Sequence, residues 1–314
     1  MIEIGIKSDP IQTRYSFEWL FKLMNDMGLK AVQMGSFFEL YAIDIQYFEK
    51  IRNLAVKKNV HLRSMFTAHR ELGGFFYHDP YMEKVARKMY ERFIDVASFL
   101  GMDYCGSNPG AVYRDQMENK SEGIACYMKH MKELSFYAYD KGLKGLTIEP
   151  MSCAAEPPTS KDEIVQMMTD LNRFHQQNPN NTVPFFLCGD ISHGWAGHDK
   201  EIISSNYELF ETGLPWMCEF HYKNTDEYYQ STFGFSKSEQ QKGIVHLDRI
   251  RQIIHDHQSL IPVLPVTGYL EISGPKTGRD YSDRLLAEQL TESIEAIKES
   301  LSYSEWQKDT NKHK

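Results

Sequence analysis

Short apolar runs alternate along the chain with longer segments in which apolar residues recur every three or four positions, and the alternation repeats eight times. An apolar run of strand length followed by an amphipathic helical stretch is the pattern of a βα unit. The strands are predicted at residues 2 to 7, 30 to 35, 60 to 66, 102 to 107, 145 to 150, 184 to 190, 216 to 222 and 266 to 272. Around residues 80 to 100, Asp79 can cap a helix, Pro80 suits its first position, and Met82, Val85, Met89, Phe93, Ala97 and Leu100 form one apolar stripe before Gly101 ends it. A second helix opens at Ser160 and Glu163, a capping-box pair placed just after Pro157 and Pro158. Leu286, Leu290, Ile294, Ile297 and Leu301 predict a last amphipathic helix, and the polar segment after it is expected to fray.

No linker, low-complexity tract or solenoid repeat divides the chain, so one domain over residues 1 to 301 and a polar tail over 302 to 314 are expected. Eight successive βα units make the fold class α/β, with a closed (β/α)8 TIM barrel as the expected architecture. A doubly wound open sheet would alternate in the same way, and periodicity alone does not separate the two.

Composition narrows the function classes. With 41% hydrophobic and 25% charged residues and no apolar run of bilayer length, the chain reads as a globular protein with neither disorder nor a membrane span. A formal charge of −8 disfavours nucleic acid as a partner. Five cysteines, dispersed with no CxxC pair, read as reduced structural thiols. The N-terminal MIEIGIKSDP begins in strand-like alternation and lacks the succession of a signal peptide, and a cytoplasmic protein is the expectation.

Four polar residues stand at the C-terminal ends of the last four predicted strands: Glu149 in GLTIEP, Asp190 in FFLCGD, His221 in MCEFHYKN and Glu271 in GYLEIS. Alternation along a strand puts Glu149 with Thr147, Asp190 with Cys188, His221 with Glu219 and Glu271 with Tyr269, all facing one way. In a barrel that way is inward, at the face where active sites form. Taken singly, each is an ordinary strand-end group. Together, three carboxylates and an imidazole at one depth suit a single hard or borderline divalent cation such as Mn²⁺, Mg²⁺, Co²⁺ or Zn²⁺.

These segments, with the GDISH, FHYKNTD and GIVHLDRI elements, make the sequence resemble the xylose isomerase-like superfamily of sugar phosphate isomerases and epimerases, and within it the ketose 3-epimerases of the tagatose and psicose type. The resemblance spans most of the chain. It implies that Glu149, Asp190, His221 and Glu271 coordinate the metal and that His193 contacts a small sugar or sugar phosphate. A cation chelating the carbonyl and a neighbouring hydroxyl would open the way to an enediolate, with Glu149 and Glu271 exchanging protons from the two faces. Related barrels often pair through their helices, so a dimer or tetramer is expected.

The pattern is not followed throughout. The epimerases place an arginine six residues beyond the histidine of the seventh strand, where this sequence has Glu227, with Lys223 as the nearby cation. Lys276 and Arg279, after the last strand, could approach a phosphate or lie in a solvated loop. Trp195 is a candidate sugar-stacking wall or a packing residue. The segment 67 to 81, with His69, Arg70 and Phe75 to Tyr77, could cover the mouth and bring His69 to substrate, or pack as an aromatic loop on helices or on another subunit. Glu219 reads as a buried acid behind His221, and His255 and His257 as exposed helix residues.

Rival functions keep the same ligands: an aldose-ketose isomerase on a short or branched sugar, a metal-dependent dehydratase, or a metal-binding barrel without activity. An apurinic-site endonuclease with three zinc ions needs further histidines, including one at the end of the fourth strand and an Asp-x-His pair after the seventh, where this sequence has CGSNPG and VHLDR.

Overall fold

The short apolar runs assemble as parallel strands. The computed structural model describes residues 2 to 12, 14 to 273 and 283 to 310. The strands, in chain order, are β1 (Ile2–Lys7), β2 (Ala31–Gly35), β3 (His61–Thr67), β4 (Tyr104–Ser107), β5 (Gly145–Ile148), β6 (Phe185–Asp190), β7 (Trp195–Ala196), β8 (Ile202–Ser204), β9 (Met217–Tyr222) and β10 (Val266–Leu270). Eight of them close a parallel barrel in the order β1, β10, β9, β6, β5, β4, β3, β2, while β7 and β8 form a separate antiparallel hairpin. Each barrel strand lies within about two residues of its predicted span, the usual scatter of strand ends. Closure decides between the two architectures in favour of the TIM barrel. No helix among the described residues is long and apolar enough to cross a membrane.

Two irregularities set the depth of the inward side chains. Pairing of β2 with β3 shifts between Val32 and Gln33, which brings Gln33 level with Ser64. Pairing of β6 with β9 shifts between Leu187 and Cys188, which brings Cys188 level with Glu219 and Asp190 level with His221. A bulge of this kind re-aims side chains near a barrel rim.

The predicted caps are present. Asp79 accepts from the backbone N–H groups of Tyr81 and Met82 at 2.7 and 3.1 Å, and Gly101 ends the helix Pro80–Leu100 in the left-handed region, with φ 75°. Ser160 and Glu163 form the reciprocal capping box of the helix Lys161–Gln177. The buried face of Pro80–Leu100 differs from the predicted stripe: Ala86, Tyr90, Phe93, Ile94 and Ala97 are buried, whereas Met82 and Val85 are exposed. The cause is the preceding turn, Gly73–Phe76, which packs on the first half of this helix and draws Ala86 inward. Gly74 permits the approach, since an added Cβ would meet the Met82 carbonyl oxygen at 2.6 Å. The last helix, Asp283–Thr310, buries Leu286, Leu290, Ile294 and Ile297 as predicted and continues past residue 301, where a polar tail was expected.

The aromatic segment after β3 packs on helices. Phe75 and Phe76 are buried against Tyr127, and Tyr77 stacks on Tyr113 at 4.9 Å. Phe76 also fits against Gly123, where a Cβ would lie 2.6 Å from its ring. Truncation of so enclosed a ring leaves a cavity that these neighbours cannot fill. Phe76→Ala is therefore expected to cost about 3–5 kcal/mol in urea denaturation, and a loss below about 1 kcal/mol would show that this turn is not part of the core.

Candidate active site

Strand parity and register bring the four strand-end residues together. Asp190 and His221 are paired neighbours on β6 and β9, and His221 is level with Tyr269 on β10. Glu149 and Glu271 each follow the last residue of their strands, β5 and β10, and the Glu271 N–H continues the ladder by donating to the Tyr222 carbonyl at 3.0 Å. One ligating atom from each of Glu149, Asp190, His221 and Glu271 lies within 4.8 Å of the other three. All four are buried or nearly so.

The imidazole of His221 is held from both sides. Its Nε2–H donates to Gln33 Oε1 at 2.7 Å, because a carbonyl oxygen can only accept. Its Nδ1 faces Glu149 Oε1 at 2.9 Å, Glu271 Oε2 at 3.3 Å and Asp190 Oδ2 at 3.8 Å. Phe66 meets the ring edge-on at 5.3 Å between centroids. Asp190 is fixed through its other oxygen, which accepts from the Ser192 N–H and hydroxyl, both at 2.7 Å.

Two lysines complete the cluster. Lys223 places Nζ 2.6 Å from Asp190 Oδ2 and 2.5 Å from Glu271 Oε2. Lys7, from the end of β1, pairs with Glu271 Oε1 and lies 3.0 Å from Asp9 Oδ2. Burial alone would push the Glu271 carboxyl up, but the His221 imidazole and the ammonium groups of Lys223 and Lys7 outweigh it and hold the carboxyl well below the usual carboxylate range. Asp190 is likewise lowered, the cost of burial being exceeded by His193 and Lys223. Burial opposes the charged form of His221, yet Glu271 and Glu149 raise its pKa. The His221 ring and the Lys223 ammonium thus face the three converging carboxylates.

That donor set fits a divalent cation. Asp190 Oδ2 is buried and faces only the charged groups of Lys223, His193 and His221, His221 Nδ1 is aimed at three carboxylate oxygens, and Gln33 holds the tautomer that leaves Nδ1 able to ligate.

A cleft of about 400 Å³ opens above the cluster, lined among others by Lys7, Phe66, Glu71, Asn108, Met151 and His193. His193 donates from Nδ1 to the Pro150 carbonyl at 2.7 Å, which leaves Nε2 toward the site, 3.4 Å from Asp190 Oδ2. Lys223 also lines the cleft. Trp195 does not: it lies in the β7 and β8 hairpin, paired with Ser204. The side chains of His69 and Arg70, and the whole of Lys276 and Arg279, lie outside the described residues. Thr67, Ala68 and Glu71 of the same segment do reach the cleft, and Tyr41 donates to Glu71 at 2.5 Å. Sequence reasoning missed Lys7, Asp9, Gln33 and Glu71. Lys7 and Gln33 carry the same signal that revealed the four ligands, a polar residue of inward parity near a strand end, but on the first two strands.

One layer down, Glu219 is buried with neither carboxyl oxygen at hydrogen-bond geometry among the described residues, although Ser64, Thr147 and Gln33 lie beside it. Burial raises its pKa, and the His221 charge and these polar neighbours offset only part of the rise.

No protein-family profile matches the sequence, and no curated protein matches it. Solved structures match it in fold. A protein from Rhodospirillum rubrum ATCC 11170, provisionally assigned as a xylose isomerase, superposes with a TM-score of 0.78 at 20% identity, over 95% of this chain and 99% of its own. A D-psicose 3-epimerase from Clostridium cellulolyticum H10, solved with D-tagatose, gives 0.67 at 11% identity, over 97% and 98%. A Bacillus anthracis protein provisionally assigned as a 3-DHS dehydratase gives 0.66 at 12% identity, over 94% and 98%. At 20% identity or less, these likenesses show a shared barrel fold.

Removing one partner of a buried ion pair leaves the other charge uncompensated. Lys223→Met is expected to destabilise the metal-free protein by about 3–5 kcal/mol in chemical denaturation, with Glu271→Gln in the same chain restoring part of the loss. Strictly additive losses would show that Lys223 does not neutralise Glu271.

Proposed function

We propose that this chain is a divalent-metal-dependent sugar isomerase or epimerase that moves a proton on a ketose through an enediolate. The observation that carries the proposal is the convergence of Glu149, Asp190, His221 and Glu271 at the floor of a polar cleft. The fold supports it, since a barrel of this kind serves the Clostridium D-psicose 3-epimerase.

In this reading Glu149, Asp190, His221 and Glu271 hold one Mn²⁺, Mg²⁺, Co²⁺ or Zn²⁺ ion. The bound cation would supply Lewis-acid polarisation of a carbonyl and its neighbouring hydroxyl, acidifying the intervening C–H. Glu149 and Glu271 come from strands separated around the barrel by β6 and β9, so they address the substrate carbon from different sides. One would remove the proton and the other return it for epimerisation, whereas transfer between adjacent carbons would give isomerisation. His221, Lys223 and Lys7 keep Glu271 ionised beside the cleft. His193 Nε2, Asn108 and Glu71 offer hydrogen bonds to substrate hydroxyls, and Phe66 gives an apolar wall. Among the described residues, both lysines of the cleft are already matched to carboxylates, which favours an uncharged sugar over a phosphorylated one.

Glu149→Gln and Glu271→Gln are expected to retain the fold and to abolish solvent-deuterium incorporation into substrate. A panel of free and phosphorylated ketoses and aldoses with Mn²⁺, followed by NMR in deuterated water, identifies the substrate and the labelled carbon. Undiminished exchange in both variants would refute the proton-transfer roles, and loss of water from the sugar would assign a dehydratase instead. Gln33→Leu frees His221 to take the wrong tautomer and is expected to weaken Mn²⁺ binding about 10–100-fold by calorimetry. Unchanged affinity would remove Gln33 from the site.

A further inference from the structure

A second set of metal-ligating atoms converges on the outer wall of the barrel, between two helices. Glu83 stands in the first turn of Pro80–Leu100, and Cys126 and His130 lie one turn apart on Lys120–Asp140. Residues four apart on a helix share a face, so the thiol and the imidazole both turn toward Glu83. The thiol sulfur, an imidazole nitrogen and a carboxylate oxygen lie within 4.8 Å of one another.

The site is built, with its ring held in place. His130 is 7% exposed, its Nε2 is 2.6 Å from Glu83 Oε1, and its Nδ1 is buried with no hydrogen-bond partner among the described residues. Phe75 stacks on the imidazole at 4.5 Å and fixes the plane of the ring. Burial, together with the Glu83 charge, pushes the Cys126 thiol up to about 11, so the sulfur is protonated and donates toward the carboxylate. Glu83 and Cys126 are half-buried, which leaves a side open to solvent.

We propose that Glu83, Cys126 and His130 form a second metal site that takes a thiophilic divalent cation of the zinc class. Sulfur, nitrogen and oxygen donors together select Zn²⁺ or Co²⁺ over Mg²⁺ or Mn²⁺, and three protein ligands leave one tetrahedral position for water. On binding, the Cys126 thiol releases its proton to solvent and the sulfur ligates as thiolate. The His130 proton moves from Nε2 to the unpartnered Nδ1, which frees Nε2 to ligate. The charges of the thiolate and the carboxylate then balance the cation. The site shares no residue with the cleft and does not depend on the sugar chemistry proposed for it.

Cobalt reports on this site because only thiolate ligation gives an intense near-ultraviolet charge-transfer band. Titration of the metal-free full chain with Co²⁺ is expected to produce that band, to retain it in Glu271→Gln, and to lose it in Cys126→Ser and in His130→Ala. Absence of the band from the parent chain, or its survival in Cys126→Ser, would overturn the proposal; survival would place the thiolate elsewhere, as at Cys188 beside His221. As a second measurement, Zn²⁺ is expected to slow alkylation of Cys126, followed by mass spectrometry, by about tenfold or more. An unchanged rate in a folded parent chain would overturn it as well.

Discussion

Three carboxylates cannot share a buried space unless positive charge is brought to meet them, and this requirement organises the face of the barrel at the C-terminal ends of its strands. Glu149, Asp190 and Glu271 converge on one imidazole nitrogen, with Lys223 between Asp190 and Glu271 and Lys7 on the other oxygen of Glu271. Desolvation acts against every charge in the group, and the mutual attraction holds Asp190 and Glu271 ionised. A divalent ion would bring the same charge in more concentrated form, which is why ligand geometry and ion pairing can be properties of one arrangement.

The barrel supplies this convergence through depth. The shift between Leu187 and Cys188 places Asp190 beside His221, and the shift between Val32 and Gln33 places the glutamine amide under the same ring. Below it, Tyr269 fills the space left by Gly5, where an added Cβ would lie 2.6 Å from the phenol ring. The interior is therefore packed beneath the site. Glu219 lies in the layer below with Ser64 and Thr147, two residues before His221 on the same inward face of β9.

Much of this was legible in the chain itself. Alternation in β5, β6, β9 and β10 was enough to put Glu149, Asp190, His221 and Glu271 on one face, since parity is a property of the strand and not of its surroundings. The caps at Asp79, Gly101 and Ser160 were legible for the same reason. What was hidden depended on contacts between distant segments. The helix after Asp79 turns Tyr90 inward and Val85 outward because the Gly73–Phe76 turn packs on it, and no helical period contains that information. Lys7 and Gln33 became meaningful only when closure set β1 and β2 across from β9. The hairpin that holds Trp195 formed from residues too few for a periodic signal.

The segment after β3 faces two ways, with Glu71 toward the cleft and the rings of Phe75 and Phe76 anchored among Tyr127 and His130. A wall rooted that deeply cannot swing as a door without unpacking the helices behind it. This stretch is therefore the fixed jamb of the chamber, against which any moving part would close.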